Sequence, residues 1–272
     1  MVNARELVYA EATDTGVVRP DNQDAVFAGS IGVAEQTRAH LLLIADGMGG
    51  YQSGDVASRL AASNFRQKLL ARRQAWPTFD HSIAWQQLLK DIVFEVNALI
   101  IDAQVETSMR DMGTTLTAAV EFEGQLHLAH VGDSRFYHYN GADIAQISQD
   151  HSLVGELMRM GRLTAEEARV HPRRNVITQA LGVAWDIHVQ TVSLELLPES
   201  KLLLCSDGLS NMVTDEELRD VLQSGVDPYI QVRKLVDLAN ERGGTDNISV
   251  IIAAYHDEGG DADDRNDSSR SL

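Results

Sequence analysis

Residues 114–147, TTLTAAVEFEGQLHLAHVGDSRFYHYNGADIAQI, decide the fold class. Four short apolar runs lie in this stretch, at 114–121, 125–131, 136–139 and 144–147. Phe122–Glu123–Gly124 and Asn140–Gly141 separate some of these runs at the spacing of hairpin turns, and Asn-Gly is a strong hairpin signal. A parallel crossover needs about a dozen residues or more, so strands joined this closely are antiparallel. The stretch therefore predicts an antiparallel sheet and disfavours a doubly wound parallel fold.

Outward from this stretch, short strands alternate with helical patterns. Further strands are predicted at 7–12, 25–28, 41–45, 188–196, 202–205 and 248–255. Helices are predicted at 54–73, 82–105, 214–222 and 228–241, from apolar residues at helical spacing and from capping signals. Residues 152–182 interrupt the strands with two short helices, the second opened by a capping box from Thr164 to Glu167 and ending at Pro172.

The domain organisation follows from what lies between these elements. Residues 1–256 contain no linker and no internal repeat, so we expect them to form one domain. Residues 257–272 hold six acids, two arginines and no aromatic side chain. Such a segment cannot bury enough apolar surface to fold, so we expect a disordered acidic tail.

Charge and cysteine usage exclude several classes of function. The 272 residues carry a formal net charge of −17, which disfavours binding to nucleic acid or to an anionic membrane. The single cysteine excludes an intrachain disulfide and suits a reducing compartment. No apolar run is long enough for a spanning helix, and the first residues, MVNARELVYAEATD, contain acids where a signal peptide is apolar. We expect a cytoplasmic protein.

Acidic residues stand at the ends of several predicted strands. In 40–50, HLLLIADGMGG, Asp46 follows a buried strand, and Asp133 and Asp207 follow two others. Asp246 immediately precedes the last strand, and Asp24 lies in the loop sequence GVVRPDNQD. Each acid alone is explained as a turn former. Five of them together indicate a site in which converging carboxylates share protons or hold a cation.

The ligand types select the cation. Oxygen ligands without a Cys/His cluster favour Mg²⁺ or Mn²⁺. Two such ions a few ångströms apart can bridge a water, lower its pKa and aim it at an electrophile. Arg19, a few residues before Asp24, suits a phosphate, because its planar guanidinium can donate two parallel hydrogen bonds to phosphoryl oxygens.

Seven motifs in order carry a family resemblance over about residues 7–255: RPDNQD, ADGMGG, MGTTL, GDSR, DHSL, CSDGL and GGTDNIS. The set resembles the PPM-type (type 2C) metal-dependent serine/threonine protein phosphatases, and most closely their compact bacterial members. The resemblance implies an α+β fold, a four-layer αββα sandwich of two antiparallel β-sheets flanked by helices on both faces. It also implies hydrolysis of phosphoserine and phosphothreonine by direct attack of a metal-bridging water, with no phospho-enzyme.

The same resemblance implies a role for individual residues. Asp46 would bridge two ions, and the Gly47 carbonyl would bind one of them. Asp207 and Asp246 would complete the shell of the first ion, and Asp24 would bind the second. Asp133 with Asp207 matches a third metal position, so two or three Mn²⁺ or Mg²⁺ ions are expected.

The remaining implied roles concern the substrate. Arg19 would clamp the phosphate, Asn247 would be a polar neighbour that contacts the substrate, and 152–182 would form a flap that influences substrate choice. Arg19, Asp46, Asp207 and Asp246 would form the catalytic set.

Two positions depart from the family pattern. Met48 stands where animal-type members carry a histidine proposed to protonate the leaving group. We assign no replacement, although His40, His127, His130 and His151 are available, and each has a structural explanation. Gln23 stands where some relatives carry an acid that acts through water on the second ion, and its neutral amide would weaken that ion's binding.

The expected partners are phosphorylated proteins, a serine/threonine kinase and that kinase's substrates, and the chain is expected to be a monomer. Two alternatives stay open. One is a catalytically weak relative that binds phosphoproteins, which would have lost metal ligands. The other is a phosphatase of a small phosphorylated metabolite.

Overall fold

The computed structural model describes residues 6–31, 39–49, 53–75, 84–107 and 112–256. The strands are β1 Glu6–Asp14, β2 Asp24–Ser30, β3 Ala39–Met48, β4 Gly113–Thr114, β5 Leu116–Phe122, β6 Gln125–Val131, β7 Arg135–Tyr139, β8 Ile144–Gln146, β9 Gln190–Glu195, β10 Lys201–Cys205 and β11 Ile248–His256. The helices are α1 Ser53–Ala75, α2 Trp85–Thr107, α3 Leu153–Arg159, α4 Ala165–Arg169, α5 Asp207–Ser210, α6 Asp215–Gln223 and α7 Pro228–Glu241.

The strands form two antiparallel sheets. One, here the β11 sheet, has the order β1-β11-β10-β7-β8. The other, the β3 sheet, has the order β2-β3-β5-β6-β9, and the short β4 pairs with the end of β3. The antiparallel pairing predicted for 114–147 is confirmed, since β5 pairs with β6 and β7 with β8.

The stretch 114–147 nevertheless divides between the two sheets, which its pattern does not reveal. The chain leaves the β3 sheet after Val131 and enters the β11 sheet at Arg135. Gly132 makes this crossing with φ +114°, and a Cβ there would lie 2.5 Å from the Thr115 side chain. Only glycine combines that backbone conformation with that close approach.

The hairpin turns within each sheet follow from their residues. Glu123 and Gly124 have φ values of 50° and 78°, the left-handed pair that a two-residue hairpin turn requires. The link between β7 and β8 is longer, at residues 140–143. There Asn140 Oδ1 accepts hydrogen bonds from the backbone N–H groups of Ala142 and Asp143.

Side chains alternate along each strand and so divide the core into three layers. In β3, Leu41 and Leu43 belong to the layer shared with α1 and α2, whereas Leu42 and Ile44 belong to the layer between the sheets. On the other sheet, Leu203 packs in the layer that contains residues of α6 and α7. The predicted α+β sandwich, with helices on both outer faces, is confirmed.

Most predicted helix signals are confirmed. The capping boxes of Thr164–Glu167 and Thr214–Glu217 are both present, and Pro228 opens α7. The second helix of 152–182 ends at Arg169, before Pro172, and α5 has no counterpart in the sequence patterns.

Two predictions fall outside the part of the chain that the structure describes, namely the acidic tail 257–272 and residues 82–83 of the second helix. In the described ranges, no helix combines the length and apolarity needed to cross a membrane.

Candidate metal and phosphate site

Asp46 lies at one end of the layer between the sheets. It shares a face of β3 with Leu42 and Ile44, which fill that layer, so its carboxylate points between the sheets beyond their apolar contacts. Asp24, the first residue of β2, is its register partner on the neighbouring strand. The strand continues past Asp46 to Met48, because Gly47 and Met48 pair with β4. Asp46 is therefore inside its strand and not at its end.

The other acids arrive from different elements. Asp207 follows β10 and is the first residue of α5, and Asp246 stands two residues before β11. Asp133 lies in the link by which the chain crosses from one sheet to the other. The acidic cluster thus draws on both sheets and consists of Asp24, Asp46, Asp133, Asp207 and Asp246.

Burial and mutual repulsion raise the pKa values of acids in the cluster. Burial raises the pKa of Asp46 well above its usual range, and repulsion from Asp24, Asp207, Asp133 and Asp246 raises it further. Burial also raises the pKa of Asp24 to about 6 and that of Asp207 to about 7, again with neighbouring acids adding to the shift. Carboxylates this close cannot all ionise unless a cation joins them.

Two carboxylate oxygens in the cluster lack internal partners. Asp24 Oδ2 accepts a hydrogen bond of 2.6 Å from Ser249 Oγ. The buried Oδ1 atoms of Asp24 and Asp133 accept none among the described residues. A buried acceptor without a partner is costly, and a cation would satisfy it.

The donor set fits Mg²⁺ or Mn²⁺, although the cage is not preformed. Within the described ranges, no group of three or more His, Cys, Asp or Glu side chains is already arranged to hold an ion. An ion that keeps several waters needs only one or two carboxylates, as Mg²⁺ commonly does. A site shared by hydrated ions agrees with this geometry better than an all-protein cage does.

Hydroxyl groups that sequence reasoning did not single out hold Asp46 in place. Thr115 Oγ1 accepts from the Asp46 backbone N–H at 2.9 Å and contacts Ser134 Oγ at 2.7 Å. The Asp46 carbonyl accepts from Thr114 Oγ1 and from the Thr115 N–H, both at 2.9 Å. The motifs MGTTL and GDSR contain these hydroxyl residues, which was the available signal.

A second pair of hydroxyl residues joins β10 and β11, the strands next to Asp207 and Asp246. The Ser249 N–H donates to Ser206 Oγ at 2.9 Å, and the Ser206 N–H donates to the Ser249 carbonyl at 3.0 Å. Since Ser249 Oγ also donates to Asp24, this pair links the β11 sheet to the first acid of the β3 sheet.

Gly47 is required by close packing of backbone. A Cβ at Gly47 would lie 2.2 Å from the Gly54 carbonyl oxygen and 2.6 Å from that of Gln23. The Gly47 N–H donates to the Gln23 carbonyl at 3.1 Å. Gly54, in turn, faces Gln23 Oε1 at a distance that leaves no room for a side chain. The amide of Gln23 therefore packs beside Gly47, the predicted carbonyl ligand.

Arg19 lies beside the acids and remains accessible. Its Nη2 donates to Asp246 Oδ2 at 2.7 Å, and 52% of its side chain is exposed. The hydrogen bond to Asp246 raises the pKa of Arg19. Gly16 allows the loop to approach, because a Cβ there would meet the Asp246 carbonyl at 2.2 Å. A guanidinium that is held by one N–H group and exposed at the others can donate hydrogen bonds to a phosphate.

Asn247 holds the loop that carries Arg19. Its Oδ1 accepts from the Gln23 N–H at 2.9 Å, and its Nδ2 donates to the carbonyls of Thr15 and Asp21, both at 2.9 Å. Asn247 is buried, and its amide is engaged with backbone on both sides. Contact with substrate stays a prediction, and the observed geometry assigns Asn247 to positioning Arg19.

The histidines near the site are engaged elsewhere. His130 contacts Thr117 Oγ1 at 2.9 Å, and His127 contacts Ser193 Oγ at 2.8 Å. His151 Nδ1 accepts from the Gly132 N–H at 3.2 Å. None of these contacts supplies a general acid, and Met48 is the last residue of β3.

A pocket with about 120 Å³ of free volume lies between the acidic cluster and 152–182. Asp133 and Asp207 line it on one side, and Met158, Ala165 and Arg169 line it on the other. The predicted flap thus borders the acids, which is where a substrate-recognition segment has to be.

Comparisons with known proteins agree with this geometry. Residues 20–240 match the model of a family described as protein phosphatase 2C. The serine/threonine phosphatase stp of Listeria welshimeri is 37% identical over 245 residues, which cover 88% of this chain and 92% of that protein.

Solved structures are similar over nearly the whole chain. The crystal structure of the Mycobacterium tuberculosis serine/threonine phosphatase PstP/Ppp has a TM-score of 0.79 and 34% identity, covering 91% of this chain and 98% of that one. The catalytic domain of the serine/threonine protein phosphatase PstP in complex with two manganese ions has a TM-score of 0.79 and 33% identity, covering 93% and 100%.

Proposed function

The chain belongs to the protein phosphatase 2C family and is a metal-dependent protein serine/threonine phosphatase, and on this basis we propose that the acidic cluster holds its metal ions. The observation that carries the proposal is the convergence of four other acids on Asp46 beside an accessible arginine. In this assignment Asp46, the Gly47 carbonyl, Asp207 and Asp246 would hold one ion, and Asp46 and Asp24 would hold a second.

We propose Mn²⁺ or Mg²⁺ as the ion, with a third position at Asp133 and Asp207. The all-oxygen donor set and the unpartnered oxygens of Asp24 and Asp133 support it. So does the manganese in the PstP complex, which has 33% identity to this chain. When bound, such ions supply an activated water and neutralise charge on the phosphate.

The chain's own residues then have separate tasks. Arg19 binds the phosphate with the N–H groups that Asp246 does not use, and Asp246 limits the directions in which the guanidinium can point. Asn247 keeps the Arg19 loop against β11 through its three backbone hydrogen bonds. Thr115, which contacts Ser134, fixes the Asp46 backbone, so the Asp46 carboxylate is oriented before substrate arrives.

The substrates are phosphoproteins, and we infer that residues 152–182 recognise them, since this segment lines the pocket beside Asp133 and Asp207. A serine/threonine kinase and its targets are the proposed partners. We further infer one phosphatase domain over 1–256, followed by an acidic tail, acting as a monomer in the cytoplasm.

The test is phosphate release from a phosphothreonine peptide with Mn²⁺, with EDTA, and with Asp207→Asn. We expect EDTA and Asp207→Asn each to abolish turnover, while the exposed Asp220→Asn serves as a matched control with wild-type activity. Turnover that persists in EDTA or in Asp207→Asn would refute the assignment. Hydrolysis of small phosphate esters without hydrolysis of the phosphopeptide would favour a metabolite phosphatase.

A further inference from the structure

Four residues form a closed ring of hydrogen bonds that includes the carboxylate of Asp24. Ser249 Oγ donates to Asp24 Oδ2 at 2.6 Å and lies 2.8 Å from Thr13 Oγ1. Asn22 Nδ2 donates to Thr13 Oγ1 at 2.8 Å, and the Asp24 N–H donates to Asn22 Oδ1 at 3.0 Å. The ring therefore holds both the backbone and the side chain of Asp24.

The strands bring these side chains together in the layer between the sheets. Thr13 and Ser249 are register partners on β1 and β11. Because side chains alternate along a strand, Ser249 shares a face of β11 with Ile251, and Asp24 shares a face of β2 with Val26. Ile251 and Val26 both pack in the layer between the sheets. Hydroxyl groups of the β11 sheet thus face an acid of the β3 sheet.

The hydroxyl protons of the ring have one consistent arrangement. An ionised carboxylate only accepts, so the single hydroxyl proton of Ser249 goes to Asp24. Ser249 must then accept from Thr13, whose oxygen accepts in turn from the Asn22 amide. Each donor in the ring is committed toward the carboxylate, so rotation of the carboxylate breaks more than one favourable contact.

The two carboxylate oxygens of Asp24 consequently differ. Oδ2 is held by Ser249, whereas the buried Oδ1 accepts no hydrogen bond among the described residues. A carboxylate held in this way presents one oxygen to an ion. Mg²⁺ requires an octahedral shell and keeps several waters, whereas Ca²⁺ takes about six to eight oxygens in a flexible shell and can use both oxygens of one carboxylate.

We propose that Thr13, Asn22 and Ser249 are positioning residues that keep Asp24 a one-oxygen ligand and so select Mn²⁺ or Mg²⁺ over Ca²⁺. The inference rests on the proposed function, in which Asp24 binds the second ion. It goes further because all three cations bind carboxylate oxygens, so the donor set alone does not separate them. The ring supplies the missing selection by fixing the direction of one carboxylate.

Two substitutions open the ring at different places. Thr13→Val removes the donor to Ser249 and the acceptor for Asn22, and Thr13 is exposed on β1, where a β-branched apolar side chain is tolerated. Ser249→Ala removes the hydrogen bond to Asp24 itself. Thr13→Ser keeps the hydroxyl and should restore the wild-type behaviour. Thr191→Val, on β9, is the matched control outside the ring.

The experiment is calorimetric titration of the metal-free full chain with Mn²⁺ and, separately, with Ca²⁺. Asp24→Asn identifies the site, because it should lose one of the Mn²⁺ sites of the wild type. At that site we expect the wild type to prefer Mn²⁺. In Thr13→Val and Ser249→Ala we expect Mn²⁺ affinity there to fall about tenfold while Ca²⁺ affinity does not fall. In Thr13→Ser and Thr191→Val both affinities should equal those of the wild type.

The outcomes separate failure of the inference from failure of the proposed function. If Asp24→Asn loses a Mn²⁺ site but Thr13→Val and Ser249→Ala keep the wild-type ratio of Mn²⁺ to Ca²⁺ affinity, the ring does not select the ion, and the proposed function stands. Equal binding of both ions by the wild type also refutes the selection. If Asp24→Asn keeps every Mn²⁺ site, the assignment of Asp24 and the inference both fail. Should Ser249→Ala not fold, the ratio in Thr13→Val decides by the same criterion.

Discussion

Asp133 and Asp150 line the same pocket, Asp133 buried and Asp150 partly buried, yet they differ in what surrounds them. The Asp150 carboxylate accepts three hydrogen bonds from the Arg135 guanidinium and one from Gln146. Asp133 has an Oδ1 that accepts no hydrogen bond among the described residues. Burial and the neighbouring Asp207 raise the pKa of Asp133 well above its usual range.

The difference teaches how to separate a structural acid from a metal ligand. The charge of an acid that forms an ion pair with a basic side chain is neutralised within the chain, and that partner fixes the surrounding backbone. An acid that lacks one, among other acids, destabilises the fold until a cation from solution joins it. The distinction lies in the partner and not in the motif, since GDSR and DHSL both place an acid after a strand.

The largest expected effect is on catalysis, at an acid without an internal cation. Asp46→Asn should lower kcat/KM on a phosphothreonine peptide by about 10³-fold, because metal ions stabilise transition-state charge by several kcal/mol. Without metal, the variant should have a Tm equal to or above that of the metal-free wild type, because one of the mutually repelling carboxylates is gone. A loss of less than tenfold would mean that Asp46 does not bridge the ions.

The opposite result is expected at the paired acid. Asp150→Asn should destabilise the protein by about 1–3 kcal/mol in urea unfolding, because it leaves the partly buried Arg135 guanidinium without its charged partner. The exposed pair Arg219–Asp220 provides the control, and Asp220→Asn should leave the midpoint unchanged. If Asp150→Asn were as stable as the wild type, Asp150 would not be a structural acid, and the proposed difference between Asp133 and Asp150 would be refuted.

A third effect depends on pH and concerns His130, which is hydrogen-bonded internally and faces Asp150 and the His151 ring. Burial lowers its pKa from 6.5 to about 4. Below pH 6.5 the unfolded chain takes up a proton that the folded protein does not, so this histidine costs stability as pH falls, about 3 kcal/mol by pH 4.

The measurement is urea unfolding between pH 7.5 and pH 4.5 for the wild type and for His130→Gln. The variant should lose less stability over this range than the wild type does. The exposed His256→Gln is the matched control and should follow the wild-type curve. Parallel curves for wild type and His130→Gln would show that His130 takes up its proton equally well in the folded protein.

The smallest effect is expected in the hydroxyl framework. Thr115→Val keeps the shape of the side chain but removes the acceptor for the Asp46 N–H and the contact with Ser134. We expect about 1–2 kcal/mol lower stability and roughly tenfold weaker Mn²⁺ binding by calorimetry. Thr191→Val, on β9, is the control. Unchanged Mn²⁺ affinity would show that the framework does not orient Asp46.

Much of the fold could be predicted from local patterns. Alternation of apolar residues, hairpin-length links and capping boxes predicted the strands, their antiparallel pairing and the helix starts, because these signals act between near neighbours. The crossing at Gly132 and the helix α5 could not be predicted, because both depend on contacts between distant segments. In the sequence, Gly132 before Asp133 is typical of an ordinary turn and does not indicate a crossing between sheets.

The chain's residues alone determined the kind of chemistry, since five acids and an arginine in seven ordered motifs indicate oxygen ligands and a phosphate. Only the tertiary structure decided which acids lack internal cations, that Asn247 holds the Arg19 loop, and that Ser249 joins Asp24 to Thr13. The reason is physical. Residue type sets what a group can bind, whereas burial and partners from distant strands set what it does bind.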